Sequence, residues 1–305
     1  MIKKEAIEYI SKTANIQQTD LIEKDLLLHA ILSELSKNNE FRNNYCFKGG
    51  TCLTKCHFGY YRFSEDLDFT FIPQNIFKNK SEKEIRRIIS SKLKSILDIL
   101  KDCSEKLELD FQTEKKNDKY IEFGGSNKFV TFKIWYNSII LNREQFIKIQ
   151  INFVEEFIYP FENRTAKTII NLNKDKEFIF LFPEYTFLTK TPTLQTYCLD
   201  EVLLEKIRAI LTRKGIKTRD AIDIFLILQK QKKNLIHYKD YALKKTKFML
   251  KYKKYRQNLK NKTFDGLFNK NEEQRLLIKP INSEKFLKFE KELTEYLTEL
   301  KENLK

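Results

Sequence analysis

Between residues 21 and 35 apolar side chains recur at helical spacing. Leu21, Ile22, Leu26, Leu27, Leu28, Ala30, Ile31 and Leu35 form a broad stripe, interrupted by Glu23, Lys24 and Asp25, the pattern of a helix that buries one face. Residues 5–37 are therefore expected as helices, with Thr19-Asp20 as an N-cap region. A polar connector, Ser36 to Arg42, leads into Tyr45-Cys46-Phe47, a short strand, then a glycine pair and a helix from Thr51 to His57 that stops near Gly59. Phe63 to Ile72 reads as a strand ended by Pro73. Residues 81–107 carry an amphipathic helix with Ile85, Ile88, Ile89, Leu93, Ile96, Leu97 and Leu100 facing inward. Two stretches then alternate with period two, Phe129 to Tyr136 and Phe146 to Phe153, the first preceded by a Gly124-Gly125 turn. In the second, Ile147, Ile149, Ile151 and Phe153 share one face, and Lys148, Gln150 and Asn152 share the other.

The pattern changes around Leu181-Phe182-Pro183 and Thr191-Pro192-Thr193, and from Leu199 almost everything is helical in period. Glu201 to Ile210 is amphipathic, Ala221 to Leu228 opens another helix behind Arg219-Asp220, and residues 283–304 form a last one. The chain is thus expected to be α+β, a mixed sheet with helices over residues 1–190 and a mostly helical domain over 191–305, without internal repeats. Seven Gly and five Pro in 305 residues fit short connections, and a 41% hydrophobic content excludes disorder of the whole chain.

Charge adds a partner class. The formal net charge of +15 attracts polyanions, nucleic acid or nucleotide first among them, although lysine enrichment for solubility gives the same number. Residues 230–262 concentrate this charge, interleave it with Tyr238, Tyr241, Phe248, Tyr252 and Tyr255, and contain a single acid, Asp240. Lys244, Lys245, Lys247, Lys251, Lys253 and Lys254 are the candidate nucleic-acid contacts, with the tyrosines available to stack on unpaired bases; equally, the rings can be core and the lysines a solvated face. The five cysteines form no C-x-x-C pair, so Cys46, Cys52 and Cys56 near His57 read as buried thiols rather than a zinc site. No apolar run approaches the roughly 20 residues that span a bilayer, and no apolar stretch follows the charged N-terminus as in a signal peptide; a cytoplasmic protein is expected.

The chemistry gathers in Lys48-Gly49-Gly50-Thr51 and Arg62-Phe63-Ser64-Glu65-Asp66-Leu67-Asp68-Phe69. Strand geometry puts Asp66 and Asp68 on one face, where two carboxylates repel unless a hard dication, Mg²⁺ or Mn²⁺, lies between them. Where the first strand turns into a helix, Gly49 and Gly50 leave backbone N–H groups free to hold a triphosphate, with Lys48, Thr51 and Ser64 as further donors. The P-loop pattern is absent.

These motifs resemble the AbiEii/AbiGii toxin family of nucleotidyltransferases, which has the DNA polymerase β-like nucleotidyltransferase fold. Glu23-Lys24-Asp25 resembles that family's N-terminal helix motif, and Glu201 to Ala209 and Arg219-Asp220-Ala221-Ile222-Asp223 resemble its two C-terminal motifs. The resemblance implies a nucleotidyltransferase-type N-terminal domain. It also implies an Mg²⁺-dependent enzyme that transfers a nucleotide from an NTP, and a toxin of a bacterial toxin–antitoxin or abortive-infection system. Some relatives add nucleotides to the 3′ end of tRNA. A cognate antitoxin is implied without stable binding. By position, Ser64, Asp66 and Asp68 match the metal and phosphate motif, Lys206 the catalytic lysine and Asp220 the C-terminal aspartate; Arg62, Glu205, Asp223, Gln150 and Asn152 are candidate supports. From the residues alone, Lys206 reads as a surface residue of a helix on which Glu201, Glu205 and Arg208 can pair at helical spacing; the resemblance reverses that preference.

The wider fold often carries a third carboxylate on a later strand, as base for the incoming hydroxyl. Here the positions of matching parity are Lys148, Gln150 and Asn152, none of them acids, while Glu155 and Glu156 lie past the strand's end. Either the register differs, a late acid bends back, or the reaction proceeds without that base. Two other readings stay open: the same chemistry on a small-molecule or protein hydroxyl, and a nucleic-acid-binding module with decayed catalysis.

Overall fold

A computed structural model of the chain describes residues 2–172, 175–264 and 274–304. The first helical stretch divides into α1 (Lys4–Ala14) and α2 (Thr19–Lys37), followed by the short α3 (Asn39–Asn44). Thr19 is already helical; the cap position falls on Gln18, whose side chain makes no cap bond, so the Thr19-Asp20 cap is corrected by one residue. The charged triplet that interrupts the α2 stripe does not open it to solvent, because two of its members are buried and paired. Glu23 accepts hydrogen bonds from the Ser138 hydroxyl at 2.5 Å and the Ile139 N–H at 2.8 Å. Asp25 lies 2.8 Å from the Lys55 ammonium and accepts from the Tyr60 hydroxyl at 2.7 Å. Lys24, between them, reaches Glu65 at 3.0 Å.

Among the described residues seven strands form one mixed sheet: β1 (Tyr45–Lys48), β2 (Asp66–Phe71), β3 (Ile121–Gly124), β4 (Phe129–Ser138), β5 (Arg143–Asn152), β6 (Phe161–Thr165) and β7 (Thr193–Tyr197), in the order β3-β4-β5-β2-β1-β7-β6. Central β2 runs antiparallel to β1 and parallel to β5. Between β1 and β2 the chain forms α4 (Gly49–Cys52), continued by a wider helical turn over Leu53–Phe58. α5 (Glu82–Lys106) starts at a capping box between Ser81 and Glu84, whose carboxyl is held down to about 2 by the Ser81 backbone and hydroxyl. Its buried stripe of Ile85, Ile89, Leu93, Ile96, Leu97 and Leu100 joins Leu28, Ile31, Leu32 and Leu35 of α2 over one sheet face, with Leu67, Phe69, Ile134, Ile147 and Ile149. The positions between these strand residues point to the other face, and that alternation puts Asp66 and Asp68 outside the core.

The chain divides into two compact units. The first comprises Met1–Glu155 and Phe161–Thr196, including α6 (Asp175–Leu181); the second comprises Glu156–Pro160 and Tyr197–Lys305. The second unit therefore takes in a short stretch between β5 and β6 that a single cut near residue 190 does not. It is built from α7 (Leu199–Thr212), α8 (Thr218–Gln231), α9 (Lys239–Leu250), α10 (Lys253–Lys260) and α11 (Ser283–Glu302). Its core includes Ile207, Ile210, Ile224, Ile227, Leu293 and Leu297, with Phe225 against Phe286 and Phe289 at ring distances of 5.5 and 5.3 Å. Among the described residues no helix is long and apolar enough to cross a membrane.

Candidate active site

The turn from β1 into α4 works only with glycine. Gly49 has φ +79°, a left-handed conformation, and a Cβ there would lie 2.3 Å from Asp68 Oδ2. At Gly50 a Cβ would lie 2.5 Å from Arg62 Nη2 and 2.8 Å from Ser64 Oγ. The pair thus brings the start of a helix against an aspartate on one side and against Arg62 and Ser64 on the other. Arg62 is itself buried, donating to the Phe63 carbonyl at 2.8 Å and lying over the Tyr61 ring. Thr51 departs from the expectation: it is buried and its hydroxyl donates to the Asp66 carbonyl at 2.5 Å. It fixes the start of β2 instead of presenting a donor to a phosphate.

Asp66 and Asp68 are half-buried on the same face of β2. The register settles what faces them. Asp66 pairs with Lys148, Asp68 with Gln150 and Thr70 with Asn152, while on the other side Asp68 pairs with Lys48. The parity read from the sequence holds, and no acid occupies those β5 positions. A late acid does return: Glu155 is buried, accepts from Asn152 Nδ2 at 2.8 Å and lies 3.8 Å from Lys48 Nζ. Lys48, also buried, is therefore balanced by Glu155 rather than presented to solvent as a phosphate contact. Among the described residues no group of three or more His, Cys, Asp or Glu converges on a point. Two carboxylates beside a glycine-cleared helix start nevertheless fit a magnesium-like dication, which keeps several waters and takes one or two carboxylates together with substrate phosphates.

In the second unit, Lys206 of α7 pairs with two carboxylates of α8. Its ammonium lies 2.7 Å from Asp220 Oδ1 and 2.7 Å from Asp223 Oδ2, and Arg213 reaches the other Asp220 oxygen at 2.9 Å. Asp220 and Asp223 are three residues apart in α8 and so share one helical face toward α7. Burial pushes the Asp220 carboxyl up, but Lys206 and Arg213 outweigh it and hold it below the usual carboxylate range. Two buried carboxylates against two cations fix one ammonium in place, so the surface-lysine reading of Lys206 is overturned. Glu205, the candidate support beside it, pairs with Arg208 at 3.2 Å and lies 3.9 Å from Lys245.

The basic segment splits. Lys244, Lys247, Lys251, Lys253 and Lys254 are exposed, with Lys251 over the Phe248 ring at 3.7 Å. Lys245 is a correction: it is fully buried, paired with the equally buried Glu201, and it donates to the Glu156 carbonyl at 2.9 Å. A lone ammonium without solvent needs such a partner, so Lys245 is structural and is no nucleic-acid contact. Sequence reasoning missed Arg213, which carries no motif, and named Glu155 only within the alternative of a late acid bending back, because it lies beyond the end of the alternating strand.

A family profile described as "Nucleotidyl transferase AbiEii toxin, Type IV TA system" matches residues 30–302. Among solved structures, JHP933 from Helicobacter pylori is 15% identical at a TM-score of 0.42, covering 93% of each chain. A candidate nucleotidyltransferase from H. pylori is 15% identical at a TM-score of 0.39, covering 99% of this chain and 97% of its own. No curated protein matches the sequence.

Proposed function

This chain belongs to the AbiEii nucleotidyl transferase toxin family of type IV toxin–antitoxin systems, and we propose that it transfers nucleotides from an NTP to RNA, with the tRNA 3′ end as acceptor and Asp66 and Asp68 holding Mg²⁺ or Mn²⁺. The observation that carries the reading is the contact forced by Gly49, which sets an aspartate of a D-x-D strand directly against a helix start that can take phosphate. Asp66 and Asp68 supply the oxygen ligands. Ser64 and the backbone N–H groups of the Gly49-Gly50 turn bind triphosphate oxygens, and the buried Arg62 stiffens that turn. Lys206, fixed by Asp220 and Asp223, is the position that matches the family's catalytic lysine. Held by Asp66 and Asp68, a dication would supply Lewis-acid polarisation of a phosphoryl oxygen. Gln150 can orient an acceptor hydroxyl but cannot take its proton. The net charge of +15 and the exposed lysines of α9 and α10 support a polyanionic acceptor.

The test incubates the purified protein with each labelled NTP, Mg²⁺ and total tRNA. Label is expected on tRNA with the wild type and not with Asp66→Ala. Transfer to no RNA would sink the proposal, and transfer that survives Asp66→Ala would sink the site assignment. Transfer to a protein or small-molecule hydroxyl in place of tRNA would redirect the acceptor alone.

A further inference from the structure

The sheet face that carries Asp66 and Asp68 continues outward across β5 and β4. Asp66 pairs with Lys148, and Lys148 with Lys133; the adjacent rung on the same face is Phe146 paired with Trp135. Strand spacing is about 4.8 Å and two residues advance about 6.7 Å along a strand, so this rung begins close to the aspartates, on the Ser64 side. Its composition is unusual for the outward face of a sheet, where alternation favours polar side chains. The inward neighbours Ile134 and Ile147 are fully buried, whereas Trp135 and Phe146 are only half-buried, with ring centres 4.8 Å apart.

Cations surround the two rings. Lys148 and Lys133 lie over Phe146 at 5.6 and 5.7 Å, and Lys119 lies over Trp135 at 4.9 Å. The indole N–H donates to the Lys119 carbonyl at 2.9 Å, which fixes the ring. The charges are graded across the platform. On the side away from the aspartates, Lys133 is paired with Glu122, and Lys119 lies 3.3 Å from Glu144 and 3.5 Å from Asp110. On the side next to Asp66, Lys148 has no carboxylate partner among the described residues, and its ammonium rests on the Phe146 ring. An anion is thus favoured at the inner edge only, and a flat apolar group against one ring with the other, inclined at 54°, beside it.

We propose that Trp135, Phe146 and Lys148 seat the terminal unpaired nucleotide of the RNA acceptor, its base stacked on the Phe146 ring with the inclined Trp135 indole as a wall and its phosphate on Lys148, so that the strand's end is delivered to Asp66 and Asp68. The inference rests on the RNA-transfer reading above and names the surface by which that site takes its acceptor. Stacking accepts any base, because each has a π face, so this seat selects an unpaired end and leaves sequence unread.

Trp135 is the single tryptophan of the chain, so its fluorescence reports this platform alone. The experiment titrates the full-length Asp66→Ala protein with a short single-stranded RNA, a blunt duplex of equal length, and NTP without RNA. Saturable quenching by the single strand is expected, with little from the duplex or the NTP. Phe146→Leu, which keeps apolar volume but removes the ring, should weaken binding about tenfold, within the range for one base–aromatic stack, while Phe146→Tyr retains affinity. Lys148→Gln should lower the slope of log affinity against log salt by about 0.7. RNA that binds by anisotropy without changing Trp135 emission, an equal response to free NTP, absence of RNA binding, or unchanged affinity in Phe146→Leu overturns the proposal. The two readings fail separately. Label transfer to tRNA with an unchanged KM in Phe146→Leu removes the platform and leaves the transferase. Absence of transfer to every RNA removes the RNA-transfer reading.

Discussion

At Gly49 one missing methyl group decides the geometry of the site. A side chain there would need a left-handed backbone and would overlap the Asp68 carboxylate. Gly49→Ala is therefore expected to abolish nucleotide transfer and to cost about 1–3 kcal/mol of stability, measurable by label transfer and by urea unfolding. Lys206 gives a sharper test, since charge balance and chemistry can be separated. Lys206→Met removes the ammonium shared by the buried Asp220 and Asp223 and should destabilise the second unit by about 3–5 kcal/mol. The double variant Lys206→Met/Asp223→Asn should recover most of that loss in a thermal melt and none of the activity. If activity returns with stability, Lys206 only holds the fold. Asp66 and Asp68 were legible in the sequence because a period-two strand shows which face each residue takes. Thr51 and Lys245 were misread because a sequence displays a hydroxyl or a charge without its partner, here the Asp66 carbonyl and Glu201.

Among the elements, α2 carries the least predictable burden, with Glu23, Asp25 and His29 all buried within one helix. His29 Nε2 meets the Lys190 carbonyl at 2.7 Å, and its pKa is lowered to about 3 by burial and then by the Lys55 charge, against the opposing pull of that carbonyl. As pH falls from 6.5 toward 3, the unfolded chain takes up a proton there that the folded chain refuses, so stability is lost in that window. Between pH 7 and pH 5 this loss amounts to about 2 kcal/mol. His29→Gln, which keeps a donor toward Lys190, should flatten this part of the urea-midpoint profile; an equal slope in both proteins would assign the effect elsewhere. Long periodic elements were read nearly to their ends, as α5 and β5 show. The short β3, β6 and β7 were not, because four or five residues such as Phe161–Thr165 carry too few alternations to stand out from a loop. The charged triplet of α2 looked like a break in the buried stripe because its partners, Ser138 and Lys55, lie far away in sequence.

For the molecule as a whole, the pattern changes from mixed to helical period between about residues 181 and 199, and the second unit's main segment begins at Tyr197. Glu156–Pro160 was not legible as part of it, since its membership depends on contacts and on no periodicity. Those contacts are specific. Glu201 accepts from the Ile158 and Tyr159 N–H groups at 3.1 and 2.9 Å, Lys245 donates to the Glu156 carbonyl at 2.9 Å, and Tyr159 packs on Tyr241 at 5.4 Å. A fragment starting at residue 197 would leave the Glu201–Lys245 pair without these backbone partners, and we expect it to aggregate or melt well below the intact chain by differential scanning calorimetry. The consequence reaches into heredity. A gene fusion or recombination event with one crossover cannot transplant the helical unit, because a single breakpoint severs it from the stretch that closes its charged core. A breakpoint between residues 160 and 197 is therefore expected to be selected against, and variation in Glu156–Pro160 should track that in α7 and α9 rather than that in the adjoining strands.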